Sequence, residues 1–109
     1  MNAKKTLLIT LFGLAATRGF AAEQTLTVSL KDHKFSPDRL EVKAGDTIKI
    51  TVINQDKSPE EFESKPFHIE TVVGAGKTST FNLGPVKAGE YLFVGEYHED
   101  SARGTIVAK

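Results

Sequence analysis

The residues most able to do chemistry lie in three groups: Asp32-His33-Lys34; Glu60-Glu61-Phe62-Glu63, with His68 and Glu70 soon after; and Glu96-Tyr97-His98-Glu99-Asp100. Imidazole nitrogens and carboxylate oxygens together suit Cu(II), iron, manganese or zinc, and do not favour Cu(I), which prefers sulfur. Residues two apart point the same way along an extended chain, so Glu61 pairs with Glu63 and Glu96 with His98. Loops at one end of a β-sandwich converge although they are far apart in sequence. These arguments select His33, Glu61, Glu63, Glu96 and His98 as candidate ligands of one metal. Glu61 or Glu63 would come from one loop, Glu96 and His98 from another, with His33 reaching across. A second reading needs no metal: Glu61, Glu63, Glu96 and His98 form an acidic docking patch for a partner protein.

Other chemistries are excluded by what the chain lacks. It has no cysteine, so it forms no disulfide, zinc-thiolate site, iron–sulfur cluster or cysteine nucleophile. Its one methionine is the initiator, which removes the thioether ligand as well. Delivery of Cu(I) would want sulfur and ranks last. The 14 basic and 14 acidic residues balance, which argues against a nucleic-acid partner. No G-x-S-x-G, H-E-x-x-H or phosphate-binding glycine loop occurs, and Gly74-Ala75-Gly76 precedes no helix.

The elements that must position these groups read as strands. Residues 25–30 alternate with Leu26, Val28 and Leu30 on one face, and 47–53 alternate with Ile48, Ile50 and Val52 inward. Further strands are expected at 40–42, 67–73, 77–83, 90–94 and 104–108, with 33–37 a connection and 54–59 a loop. About seven short strands with regular turn signals predict an all-β antiparallel sandwich or small barrel.

Residues 1–22 read differently. Lys4 and Lys5 precede an apolar run over 6–16, and small residues end at Gly19-Phe20-Ala21-Ala22. This is the pattern of a secretory signal peptide, too short to span a membrane as a helix. Without Lys4, Lys5 and Arg18, 11 basic and 14 acidic residues remain on the expected domain, 23–109. That domain is small, so packing must stabilise it, and a bound metal would add to that stability.

The motif Phe35-Ser36-Pro37, then Leu40-Glu41-Val42-Lys43-Ala44-Gly45-Asp46, Ile48-Lys49-Ile50 and Asn54-Gln55-Asp56, resembles the cupredoxins. Gly89-Glu90-Tyr91-Leu92-Phe93 and Gly104-Thr105-Ile106-Val107 resemble the strands flanking that family's copper loop. The resemblance implies a Greek-key β-sandwich with a metal site at one end. It also marks a departure. Gly95 stands where the family's copper-binding cysteine would fall, His98 matches the loop histidine, and the methionine position falls near Ala102 or Arg103. The first histidine would be expected around 61–63, where acids stand. A blue type 1 centre is therefore excluded, because it depends on the thiolate.

The runs Glu60-Glu61-Phe62-Glu63-Ser64 and Gly95-Glu96-Tyr97-His98-Glu99-Asp100 look like a narrower branch: small periplasmic cupredoxin-like proteins associated with bacterial high-affinity iron permeases. That resemblance implies a non-blue nitrogen/oxygen site for copper, as Cu(II), or iron. It further implies a periplasmic role in oxidising Fe(II) or handing it to an iron permease and its periplasmic components. Contact with the membrane would then come only through those partners.

Overall fold

In the computed structural model, which describes residues 22–109, nine strands form two sheets. They are β1 (Glu23–Lys31), β2 (Lys34–Ser36), β3 (Arg39–Val42), β4 (Thr47–Asn54), β5 (Glu60–Ser64), β6 (Ile69–Val73), β7 (Thr78–Leu83), β8 (Gly89–Gly95) and β9 (Arg103–Ala108). One sheet has the order β2-β1-β4-β7 and the other β3-β9-β8-β5-β6. The segment read as a signal peptide lies, apart from Ala22, outside the described residues. Among the described residues no helix is long and apolar enough to cross a membrane.

Alternation sets the inner faces. Val28 and Leu30 of β1, and Ile48, Ile50 and Val52 of β4, are buried. Leu40, Val42, Val73, Leu83 and Ile106 meet them from the other strands. Phe93 anchors the end that carries the polar loops. Its ring lies 5.1 Å from those of Phe35 and Phe62, and Phe81 sits 5.0 Å from Phe62. A side chain at Gly104 would run into the Phe93 ring, so the ring lies flat on bare backbone of β9. Fully burying one such ring contributes roughly 1.5–3 kcal/mol.

Three expectations change. The sandwich is not wholly antiparallel: β1 runs parallel to β4, and β3 to β9. After β2 the chain joins the edge of the second sheet as β3 before returning to the first. That excursion replaces the hairpin an antiparallel neighbour would use. Residues 34–36 and 60–64 are strands, which lifts the count from about seven to nine. The expected strand over 67–73 begins only at Ile69. Lys65–Phe67 is a 3-10 turn with Pro66 at its start, and His68 ends it in the left-handed conformation at φ 57°. Proline cannot donate to a ladder, so it holds the strand off until the turn is complete.

Candidate metal centre

His33 stands at the tip of the β1–β2 hairpin, where Lys31 pairs with Lys34 and only Asp32 and His33 lie between. Both adopt positive φ, 54° and 58°. A two-residue hairpin of this hand needs positive φ at both central positions and favours Asn-Gly. Histidine there costs backbone energy, and the structure compensates. The Asp56 carboxylate accepts from the backbone N–H of Asp32 at 2.6 Å and of His33 at 3.0 Å. Its Oδ2 also lies 3.4 Å from His33 Nδ1.

Asp56 is itself held by Asn54. That buried amide donates to the carbonyls of Ser58, Val73 and Gly74 and accepts from Asp56 N–H at 2.9 Å. Burial pushes the Asp56 carboxyl up. The N–H groups of His33 and Asp32, with the His33 and His98 rings, outweigh that and leave it below the ordinary aspartate value.

Glu60 opens β5 and points inward, with 2% exposure. Its Oε2 accepts from Tyr97 N–H at 2.8 Å and Glu61 N–H at 3.1 Å, and its Oε1 lies 2.7 Å from His98 Nδ1. The space it fills exists because position 95 has no side chain. A Cβ there would stand 2.7 Å from Glu60 Cδ, 2.8 Å from Glu60 Oε1 and 2.8 Å from Ala102 Cβ.

His98 closes the 3-10 turn Glu96–His98 after β8, and its carbonyl accepts from Ala102 N–H at 2.8 Å. Its ring stacks on that of His33, centroids 3.6 Å apart and planes 12° from parallel. Each imidazole thus has its own carboxylate at Nδ1: Asp56 for His33 and Glu60 for His98. At His33 the Asp56 carboxylate fixes the tautomer and leaves the other nitrogen free to ligate, whereas an ion shared by Glu60 and His98 would take the place of the 2.7 Å contact between them.

The five sequence candidates do not form one group. The described residues that could hold an ion fall into three: His33, Glu60 and His98; Glu61, Glu70 and Glu96; and Glu63, Glu96 and Glu99. Within each, one ligand atom per residue lies within 4.8 Å of the others. The pleat of β5 causes the division. Glu60 and Phe62 face inward toward the histidines, while Glu61 and Glu63 leave on the other side. His33 and His98 therefore meet Glu60, whereas Glu61, Glu63 and Glu96 meet Glu70 and Glu99. Asp56, Glu60, Glu70 and Glu99 were not selected from sequence. Glu60 lay within the acidic run and Asp56 within the Asn54-x-Asp56 motif, and these were the available signals.

The acids perturb one another. Burial raises the Glu63 carboxyl above the ordinary glutamate value, and the charge of Glu96 and a hydrogen bond with Glu70 add to it. A hydrogen bond shared with Glu61 raises Glu96, followed by burial and the charges of Glu61 and Glu70.

The His33–Glu60–His98 group fits an ion that takes nitrogen and oxygen, such as Cu(II) or iron. Its ligand atoms lie within 4.8 Å of one another, and metal–ligand bonds of about 2.0–2.2 Å would draw them together. It does not fit a thiolate-bound copper: the carboxyl of Glu60 fills the space beside Gly95 where a cysteine Cβ would have to stand.

A family model described as a cupredoxin-like domain matches residues 4–108. An uncharacterized protein of Rickettsia prowazekii (strain Madrid E) is 38% identical over 80 residues, which span 73% of this chain and 64% of that protein. Among solved structures, auracyanin A, a "blue" copper protein of Chloroflexus aurantiacus, superposes with a TM-score of 0.68 at 14% identity, over 80% of this chain and 99% of that one. A copper binding protein solved in the apo form gives 0.70 at 17% identity, over 84% and 93%. The metal binding domain of the Cu(I) exporting P-type ATPase of Streptococcus pneumoniae D39 gives 0.69 at 13% identity, over 80% and 86%. At these identities the likeness is one of fold.

Proposed function

Because the chain belongs to the cupredoxin-like domain family, we propose that it is a periplasmic metal-binding protein that holds copper or iron at His33, Glu60 and His98 and assists ferrous iron uptake. The observation that carries the reading is the meeting of two histidines and a buried carboxylate at one end of the sandwich, from elements far apart in sequence. A bound copper would supply a one-electron couple there. Imidazole and carboxylate donors favour its oxidised state, as they favour Fe(III) over Fe(II).

The chain's own groups do the positioning. Asp56 holds the strained hairpin that carries His33. Before an ion binds, Glu60 holds His98 in place through Nδ1, and it ties the Glu96–His98 turn to β5 through Tyr97 N–H. Phe35, Phe62 and Phe93 close the apolar floor beneath. The role in iron uptake, by oxidation of Fe(II) or its hand-over to a permease, rests on the resemblance of the Glu60-to-Ser64 and Gly95-to-Asp100 runs.

Calorimetric titration of the chelator-stripped protein with Cu(II) and with anaerobic Fe(II) tests the centre. Micromolar or tighter binding that His98→Ala abolishes is expected, and a folded protein that binds neither metal would remove the reading. Radioiron uptake by iron-starved cells tests the role. Cells carrying His98→Ala should import less iron than cells carrying the unaltered protein, and equal import would refute it.

A further inference from the structure

The distances within the histidine centre admit an ion, but the direction of its rings does not. His33 and His98 stack with centroids 3.6 Å apart and planes 12° from parallel. The lone pair of an imidazole nitrogen lies in the plane of its ring. An ion shared equally by two stacked rings would lie midway between them, half of that spacing out of each plane. At a metal–nitrogen bond of about 2.0–2.1 Å it would miss each lone pair by about 60°. An ion in the plane of one ring would be out of bonding reach of the other. As they stand, the rings offer an ion one imidazole and not two.

The two rings are not equally free to turn. His98 Nδ1 lies 2.7 Å from Oε1 of the buried Glu60, and its carbonyl accepts from Ser101 N–H at 3.1 Å and Ala102 N–H at 2.8 Å. His33 is held by its backbone instead. Its N–H and that of Asp32 donate to Asp56, while its ring has only the longer 3.4 Å contact to the same carboxylate. The His33 side chain is also the more exposed, 41% against 31%. A cleft of about 500 Å³ between Lys31, Gln55 and Lys57 borders it and gives the ring room to tilt. The hairpin stays clamped while the ring moves.

We infer that His33 is a swinging ligand and that the stack is the open state of the centre. Glu60 and His98 take an incoming ion first, in place of the contact between them. The His33 ring then leaves the stack and supplies the second nitrogen, and the bond gained offsets the stacking lost. Release reverses the order: His33 returns to the stack and leaves coordination positions open to a receiving protein or chelator. This rests on the ligand set proposed above and adds which of its members exchanges.

The test is nuclear magnetic resonance of the histidine rings at neutral pH, without metal and with one equivalent of Zn(II), which takes imidazole and carboxylate ligands and is diamagnetic. The reference is His33→Gly, because glycine suits a hairpin position of positive φ. Circular dichroism establishes that it is folded. Without metal, the His98 ring protons should lie upfield of their place in His33→Gly, displaced by the stacked ring. With Zn(II), that displacement should be lost and nitrogens of both histidines should show coordination shifts. Calorimetry should find one ion per chain. His33→Gly should bind Cu(II) about tenfold or more weaker, at least the cost of losing an outer partner, yet still measurably, whereas His98→Ala loses it. Zn(II) bound with the displacement intact would overturn the proposal alone and leave the metal site standing. So would two ions bound with the stack retained, no displacement in the metal-free protein, or Cu(II) binding lost in His33→Gly but kept in His98→Ala. A folded protein that binds neither Zn(II) nor Cu(II) would remove the site and the proposal with it.

Discussion

Replacing Gly95 with alanine should destabilise the protein although it adds one methyl group. The backbone at Gly95 has φ −90° and ψ 106°, which alanine adopts freely, so no strain arises from conformation. The lower entropy of the unfolded chain would on its own stabilise by about 0.4–1 kcal/mol. Against this, the new Cβ would stand 2.7 Å from Glu60 Cδ and 2.8 Å from both Glu60 Oε1 and Ala102 Cβ. Ala102 is fully buried and fixed by backbone, and the Glu60 carboxyl is held by three hydrogen bonds. Overpacking of this kind costs about 1–3 kcal/mol. The net loss is about 1–2 kcal/mol, equivalent to a fall in Tm of roughly 5–15 °C for a domain of this size. A circular dichroism melt of the metal-free protein at neutral pH measures it. In a Glu60→Ala background the same substitution should cost less, by about 0.5 kcal/mol or more, because two of the three contacts are gone. An unchanged or higher Tm for Gly95→Ala would refute the claim that Glu60 fills the space a side chain at position 95 would need.

Asp56→Asn should weaken Cu(II) binding roughly tenfold by loosening the His33 hairpin, with little effect if His33 is not a ligand; calorimetry distinguishes the two. Asn54→Ala should cost about 2–4 kcal/mol, read by urea unfolding, because it strands Asp56 N–H and the Val73 carbonyl. The pH dependence has two limbs. Glu63 and Glu96 hold protons more tightly folded than unfolded, so stability should fall as pH rises from the ordinary glutamate value of about 4.3 through their raised values. Asp56 is depressed, so its contribution is present above the ordinary aspartate value and is lost as pH falls below it. Urea midpoints measured across this range check both signs, and Glu63→Gln should flatten the first limb.

The parts of the fold that alternation specifies were legible in the sequence. Ile48, Ile50 and Val52 point inward in β4 as their spacing requires. The β5 strand was not legible, because Glu60-Glu61-Phe62-Glu63-Ser64 carries three acids, which strands disfavour, and only Phe62 marks the core. Its pleat matters most for the site. The two-residue rule groups Glu61 with Glu63 correctly, and by the same rule it sends Glu60 to the other face. That an inward glutamate is tolerated depends on the missing side chain at Gly95 and on Tyr97 N–H, 37 positions away. Local pattern carries no trace of such contacts. His33 and His98 were recognisable as residues but not as a stacked pair, since the stack depends on two positive-φ residues held by Asp56.

The central claim is that His33 and His98, with Glu60, hold one metal ion. Electron paramagnetic resonance of the protein loaded with one equivalent of Cu(II) tests it most directly. The account predicts a non-blue spectrum with hyperfine structure from two imidazole nitrogens, falling to one nitrogen in His33→Ala and altered in Glu60→Gln. A spectrum with no imidazole nitrogen, or one that His33→Ala and His98→Ala both leave unchanged, would contradict it and leave the acidic face as a docking surface.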